Sequence, residues 1–139
     1  MAITQCVTTT FKQELFGGTH VFGTDTFRLA LYQSSASLDA STTAYTATGE
    51  ASGTNYTAGG ANLTTIAATT SGTTAFVDFN DLAFPNVSIT ARGAMIYNSS
   101  KANRSVVILD FGSDKSPAAQ TLTVVFPSAT AANAIIRIQ

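Results

Sequence analysis

Residues 91–97 and 104–111 are two apolar runs with β-branched residues, separated only by the polar residues 98–103. A short break rich in Asn, Ser and Lys is the sequence mark of a β-hairpin whose loop exceeds the two-residue minimum. Val106-Val107-Ile108-Leu109 is apolar at every position, so this strand is expected to lie centrally, between covered surfaces. Gly93, inside the first run, weakens a strand by roughly 0.5–1 kcal/mol relative to Ala and points to a bulge or a close backbone approach. The rest of the chain must supply layers for both sides of this hairpin.

Other stretches read as strands for the same reason. Residues 25–32 alternate, with Phe27, Leu29 and Leu31 on one face and Arg28, Ala30 and Tyr32 on the other, which predicts a half-buried strand. Residues 61–68 and 73–79 flank a Ser71-Gly72 turn and predict a second hairpin. Pro85 confines residues 81–86 to an edge or a connection. Residues 121–126 and 134–138 alternate again. Ahead of these strands, Thr9–Phe16 predicts a two-turn helix, with Thr8 or Thr9 as its cap and Gly17-Gly18 at the left-handed C-terminal position. Its apolar stripe, Phe11 and Leu15 with Phe16 at the margin, must dock on the sheet or on another subunit, since so short a helix is not stable alone.

Residues 33–60 show neither period. Tyr45 and Tyr56 give this stretch something to anchor with, so an ordered excursion at one end of the sheet is expected, with a helical turn around residues 41–45. The pattern as a whole predicts an all-β fold, an antiparallel β-sandwich or barrel-like domain, with a short N-terminal helix or arm and a long ordered loop. Residues 1–25 form the arm and 26–139 the single β-domain.

Composition narrows the function classes. Only 11% of the 139 residues are charged, against roughly 25% in ordinary soluble domains, and Thr, Ser and Ala crowd the sequence. A surface so poor in charge, with a mean hydropathy of +0.20, suits a chain covered by neighbours in an oligomer or assembly. The seven Lys and Arg residues are scattered and the net charge is −1, so nucleic acid is not an expected partner. No stretch approaches the ~18 apolar residues of a membrane span, and the first residues lack a cationic, then apolar, export pattern. The one cysteine, Cys6, suits a reducing compartment.

No constellation for catalysis, metal or cofactor binding stands out. His20 has no Cys, Asp or Glu at ligand spacing, and a structural role is expected of it. Asp78 with Asp81, or Asp110 with Asp114, could pair as the acid and base of a glycosidase, but Asp at strand ends serves turns, backbone groups and ion pairs, here with Arg92 or Arg104 as partners. The Asn-X-Ser/Thr triplets at Asn55, Asn62, Asn86, Asn98 and Asn103 are expected by chance in a chain so rich in Ser and Thr. Tyr32, Tyr45, Tyr56 and Tyr97 could form a sugar-binding surface, although isolated tyrosines usually serve as half-buried anchors.

Several segments carry a resemblance. Leu29-Ala30-Leu31-Tyr32-Gln33-Ser34-Ser35-Ala36-Ser37-Leu38, Tyr56-Thr57-Ala58-Gly59-Gly60, Thr90-Ala91-Arg92-Gly93-Ala94-Met95-Ile96-Tyr97-Asn98 and Val107-Ile108-Leu109-Asp110-Phe111-Gly112 are similar to a family of small structural proteins of tailed bacteriophages. The likeness runs from about Thr26 to the C-terminus. It implies a non-enzymatic, β-rich virion component made in the host bacterial cytoplasm, with several relatives assigned as head decoration or cement proteins. Such a protein would bind the major capsid protein on the capsid surface, at capsomer junctions, as a homo-oligomer and most simply a trimer. The alternative is a tail, neck or fibre-associated protein or adhesin. Candidate interface residues are Phe11 and Leu15 in the helix, expected to order on assembly, and Tyr45 and Tyr56 in the excursion.

Overall fold

A computed structural model describes residues 2–139. In chain order its elements are β1 (Cys6–Val7), α1 (Thr9–Phe16), β2 (Phe27–Tyr32), β3 (Ala61–Asn62), β4 (Thr65–Ser71), β5 (Thr74–Phe79), β6 (Leu82–Val87), β7 (Ala91–Asn98), β8 (Arg104–Lys115), β9 (Gln120–Val124) and β10 (Ile136–Ile138). The fold is all-β, with the named strands paired antiparallel in a sandwich-like arrangement.

The β7–β8 hairpin forms as the apolar runs predict and sits in a five-stranded sheet ordered β1-β8-β7-β2-β3. Its register slips between Ile96↔Val107 and Tyr97↔Ser105, so Val106 is an extra residue on β8. That bulge turns Val106 to the same side as Val107 and Leu109, against strict alternation, and all three join one core cluster while Ile108 joins another. At Gly93 a Cβ would lie 2.3 Å from Leu109 O, which is the close backbone approach expected there.

Each face of this sheet is buried by a different layer. Phe27, Leu29, Leu31, Ala94, Ile96, Val107 and Leu109 pack against the second layer, formed by the sheets β10-β5-β4 and β6-β9. Val77, Phe79, Phe84, Val124 and Ile136 are that layer's contribution. On the other face Ala30, Tyr32, Met95, Tyr97 and Ile108 are covered by Ile3, Ala36 and Leu38. The strand β2 is therefore buried on both faces, where alternation alone predicted one.

Residues 33–60 explain this difference. Rather than standing at one end of the sheet, they cross its outer face: Ala44 bridges Arg104 and Tyr45 N–H donates to Asn103 O at 2.8 Å. The chain then returns along β2, where Ala51 N–H donates to Leu31 O at 2.8 Å. The helical turn expected at residues 41–45 does not form. Instead Asp39 Oδ1 accepts from the Ser41 backbone and hydroxyl at 2.8 and 2.5 Å, and Thr42 N–H closes a turn on Asp39 O at 3.1 Å. Local side-chain acceptors of this kind outcompete a helical turn. Residues 61–68 are also not one strand: β3 pairs with β2 and β4 with β5, because the chain changes layers at Leu63 and Thr64.

The N-terminal residues belong to the same core. Helix α1 has the predicted span, and Phe11 is fully buried among the residues of the first cluster. Thr8 does not cap it through its side chain; its hydroxyl donates instead to Ser105 O at 3.3 Å. Strand β1 pairs with β8 through Cys6↔Ile108 and Val7↔Val107. The division into an arm of residues 1–25 and a domain of 26–139 is thus not visible in the packing, and Met1 lies outside the described residues. A helix too short to stand alone finds its support within its own chain.

Candidate functional site

Two of the four tyrosines share one carboxylate, and the other two hold the backbone beside it. Glu50 Oε2 accepts from Tyr45 Oη at 2.5 Å, and Oε1 accepts from Tyr56 Oη at 2.8 Å and Gly59 N–H at 2.7 Å. Tyr56 Oη in turn accepts from Leu31 N–H at 2.9 Å. Tyr97 stacks on Tyr45 at 4.9 Å and donates to Gly59 O at 2.6 Å, while Tyr32 donates to Thr46 O at 2.6 Å. Arg28 closes the cluster, donating to Gly60 O at 2.8 Å and Asn62 Oδ1 at 2.9 Å. The network clamps residues 45–60 to β2 and β7. Tyr45 and Tyr56 are therefore half-buried anchors whose hydroxyls are hydrogen-bonded within the chain. Glu50 was missed in the sequence because a lone Glu among small polar residues has no local pattern.

Replacing Glu50 with alanine is expected to lower stability by about 2–3 kcal/mol, since two hydroxyls and one backbone N–H lose a shared charged acceptor. Urea unfolding of the variant against the parent measures it. The same cluster fixes an alkaline limit. Burial foremost, with Glu50 beside it, pushes Tyr45 up to about 12, and burial also raises Tyr32 and Tyr56. Unfolded tyrosines ionise near 10, so between those values the folded state keeps protons that the unfolded chain releases. Stability from this source is complete below about pH 10 and is lost as pH rises through about 12. Tyrosinate absorbance during alkaline titration, followed with and without Glu50→Ala, tests both points.

The other polar residues singled out in the sequence also serve the chain itself. Asp78 Oδ1 accepts from Phe79 N–H and Asp81 Oδ1 from Phe126 N–H, both at 2.8 Å. Burial holds the Asp78 carboxyl above the usual range. Arg92 donates to Asp110 at 2.8 Å and holds that carboxyl below it. Arg104 pairs with Glu14 rather than with an aspartate. His20, its ring tilted at 53° and 4.8 Å from that of Phe11, bridges Glu14 and Asn98 through its two nitrogens at 2.9 and 3.0 Å. Burial pushes the Cys6 thiol up, which makes it a poor nucleophile. Among the described residues no group of three His, Cys, Asp or Glu could hold a metal, and no helix is long and apolar enough to cross a membrane.

The open surface lies elsewhere, between α1 and β10. Residues four apart share a helix face, so Phe11 and Leu15 point inward while Lys12 and Phe16 look outward beside them. Phe16 is 96% exposed, and Ile138 on the facing strand is 59% exposed. They border a groove of about 890 Å³ floored by Val7, Phe11, Leu15 and Ile136. Of the expected interface residues, Leu15 lines this groove, whereas Phe11 forms its floor and is inaccessible at 0% exposure. Phe16, which the sequence placed only on the margin of the helix stripe, is the aromatic that a partner would meet.

No known family's sequence model matches the chain, and comparisons with curated proteins and with solved structures give no match either.

Proposed function

We propose that this protein is a structural component of a tailed-phage particle, a decoration protein that binds the outside of the head at capsomer junctions and stabilises the shell. The observation that carries the reading is the α1–β10 groove: a fully exposed Phe16 beside a wide apolar cleft, on a chain with only 11% charged residues. Such a surface is suited to being covered, and modest contacts of this kind become strong when repeated over many copies. The clamped excursion contributes by giving the domain a stiff outer face, so that load across a seam is carried without the loop yielding. The assignment to a phage particle rests on the resemblance that segments between about Thr26 and the C-terminus bear to small phage structural proteins.

Quantitative mass spectrometry of purified particles tests it. A molar ratio to the major capsid protein near one, or a simple fraction such as one third, is expected for a decoration protein. A ratio of a few per cent would place the chain in the tail, neck or fibre, and its absence from particles would end the virion reading. Phe16→Asp, at an exposed position that leaves the core untouched, is expected to reduce occupancy on particles by about tenfold or more.

A further inference from the structure

The groove is also a gap between two sheet edges. Strand β1 ends the five-stranded sheet and β10 ends the three-stranded one, and Val7 of β1 and Ile136 and Ile138 of β10 line the same cleft. An edge strand presents unpaired N–H and C=O groups, which an extended segment can satisfy by adding to the sheet. The inner face of such a segment would meet Ile136 and Ile138, and its outer face would lie opposite Arg137, because successive side chains alternate.

Charge decides what that segment carries. The charged side chains bordering the groove are Lys12 and Arg137, and no Asp or Glu lines it. Among the described residues neither Lys12 nor Arg137 has a carboxylate within 4.0 Å; Arg28 and Lys115 lack one too, but Arg28 is spent on Gly60 O and Asn62 Oδ1 and Lys115 on Ser113 Oγ. Among the described residues the Arg137 guanidinium reaches only Ala131 O, at 3.4 Å. A second copy of this chain docked face to face would bring these cations toward their own counterparts, which disfavours self-association here.

We propose that the groove accepts an extended segment of a different polypeptide, reading apolar–acidic–apolar, which adds as a strand to the free edge of β10. Its apolar residues fill the cleft beside Phe16, and its carboxylate pairs with Arg137 across the new strand pair, with Lys12 on the opposite rim. The inference rests on the groove's being a protein-binding surface, as in the proposed function, but not on the partner's being a capsid subunit.

End-blocked peptides of alternating valine and glutamate, and of alternating valine and lysine, test this on the full chain. The glutamate peptide is expected to bind at least about tenfold more tightly and to slow amide exchange of residues 136–138. Arg137→Glu, at an exposed position, should fold normally and reverse the preference toward the lysine peptide. Equal binding of both peptides, binding of neither, or binding without protection of β10 would overturn the proposal. So would tighter occupancy by decanoate, which would make the groove a lipid site, or a dimer abolished by Phe16→Asp, which would make it a self-interface. Particle stoichiometry does not enter any of these readouts, so the virion reading can fail while the groove assignment stands, and the reverse.

Discussion

Gly60→Ala is expected to cost several kcal/mol, a large part of the stability of a domain this size. The residue has φ +75°, and a Cβ there would lie 1.7 Å from Leu29 O, 2.5 Å from Leu29 C and 2.8 Å from Ala30 Cα. The obstacle is backbone of β2, held on its other side by the full register with β7, and it cannot retreat. The loop must move instead, which pulls Gly59 and Gly60 away from Glu50 and Arg28. Left-handed backbone alone costs a non-glycine residue roughly 1–3 kcal/mol, and the lost hydrogen bonds add about 1–3 kcal/mol for each buried group left unpaired. Gly72 supplies the control. It has φ +60° at the β4–β5 turn with nothing within 4 Å, so Gly72→Ala carries the backbone term alone. Denaturant midpoints of the two variants compare the effects directly; equal losses would mean that the excursion is not seated against β2.

What could be read from the sequence follows from how local each cause is. The β7–β8 hairpin and the helix Thr9–Phe16 were legible because apolar spacing and flanking turn residues act within a few positions. The path of residues 33–60 was not, since its order comes from partners far along the chain: Tyr45 from Asn103, Tyr56 from Leu31, Gly59 from Tyr97. Two loop tyrosines signalled anchoring but could not say to what, and both proved to be tied to Glu50. The same limit hid the burial of both faces of β2, because the covering layer has no period of its own. The groove was half legible. Spacing of four placed Phe11 with Leu15 on the inner face, and the same rule pairs Lys12 with Phe16 on the outer one. Only the topology shows that β10 runs opposite them with its edge free.

Phe11→Ala is expected to cost about 3–5 kcal/mol and to lower the melting temperature by roughly 10 °C or more. The ring is fully buried, 4.8 Å from His20 and 6.1 Å from Phe22, so truncating it removes packing from the centre of an aromatic cluster. The manner of the loss matters as much as its size. A detachable arm would fray first, leaving the unfolding of the β-sheets unchanged and the first residues open to protease. In this fold the N-terminal residues are tied to the central sheet at several points: β1 to β8, the Thr8 hydroxyl to Ser105, Glu14 to Arg104, and His20 to Asn98. One cooperative transition with an unchanged denaturant slope is therefore expected, shifted as a whole. Phe11→Leu, which keeps most of the volume, should lose much less. A two-step transition, or proteolytic removal of the first residues with the remainder still folded, would restore the arm as a separate unit. It would also free α1 to rearrange on binding, and the groove it borders would then be shaped by the partner instead of waiting for it.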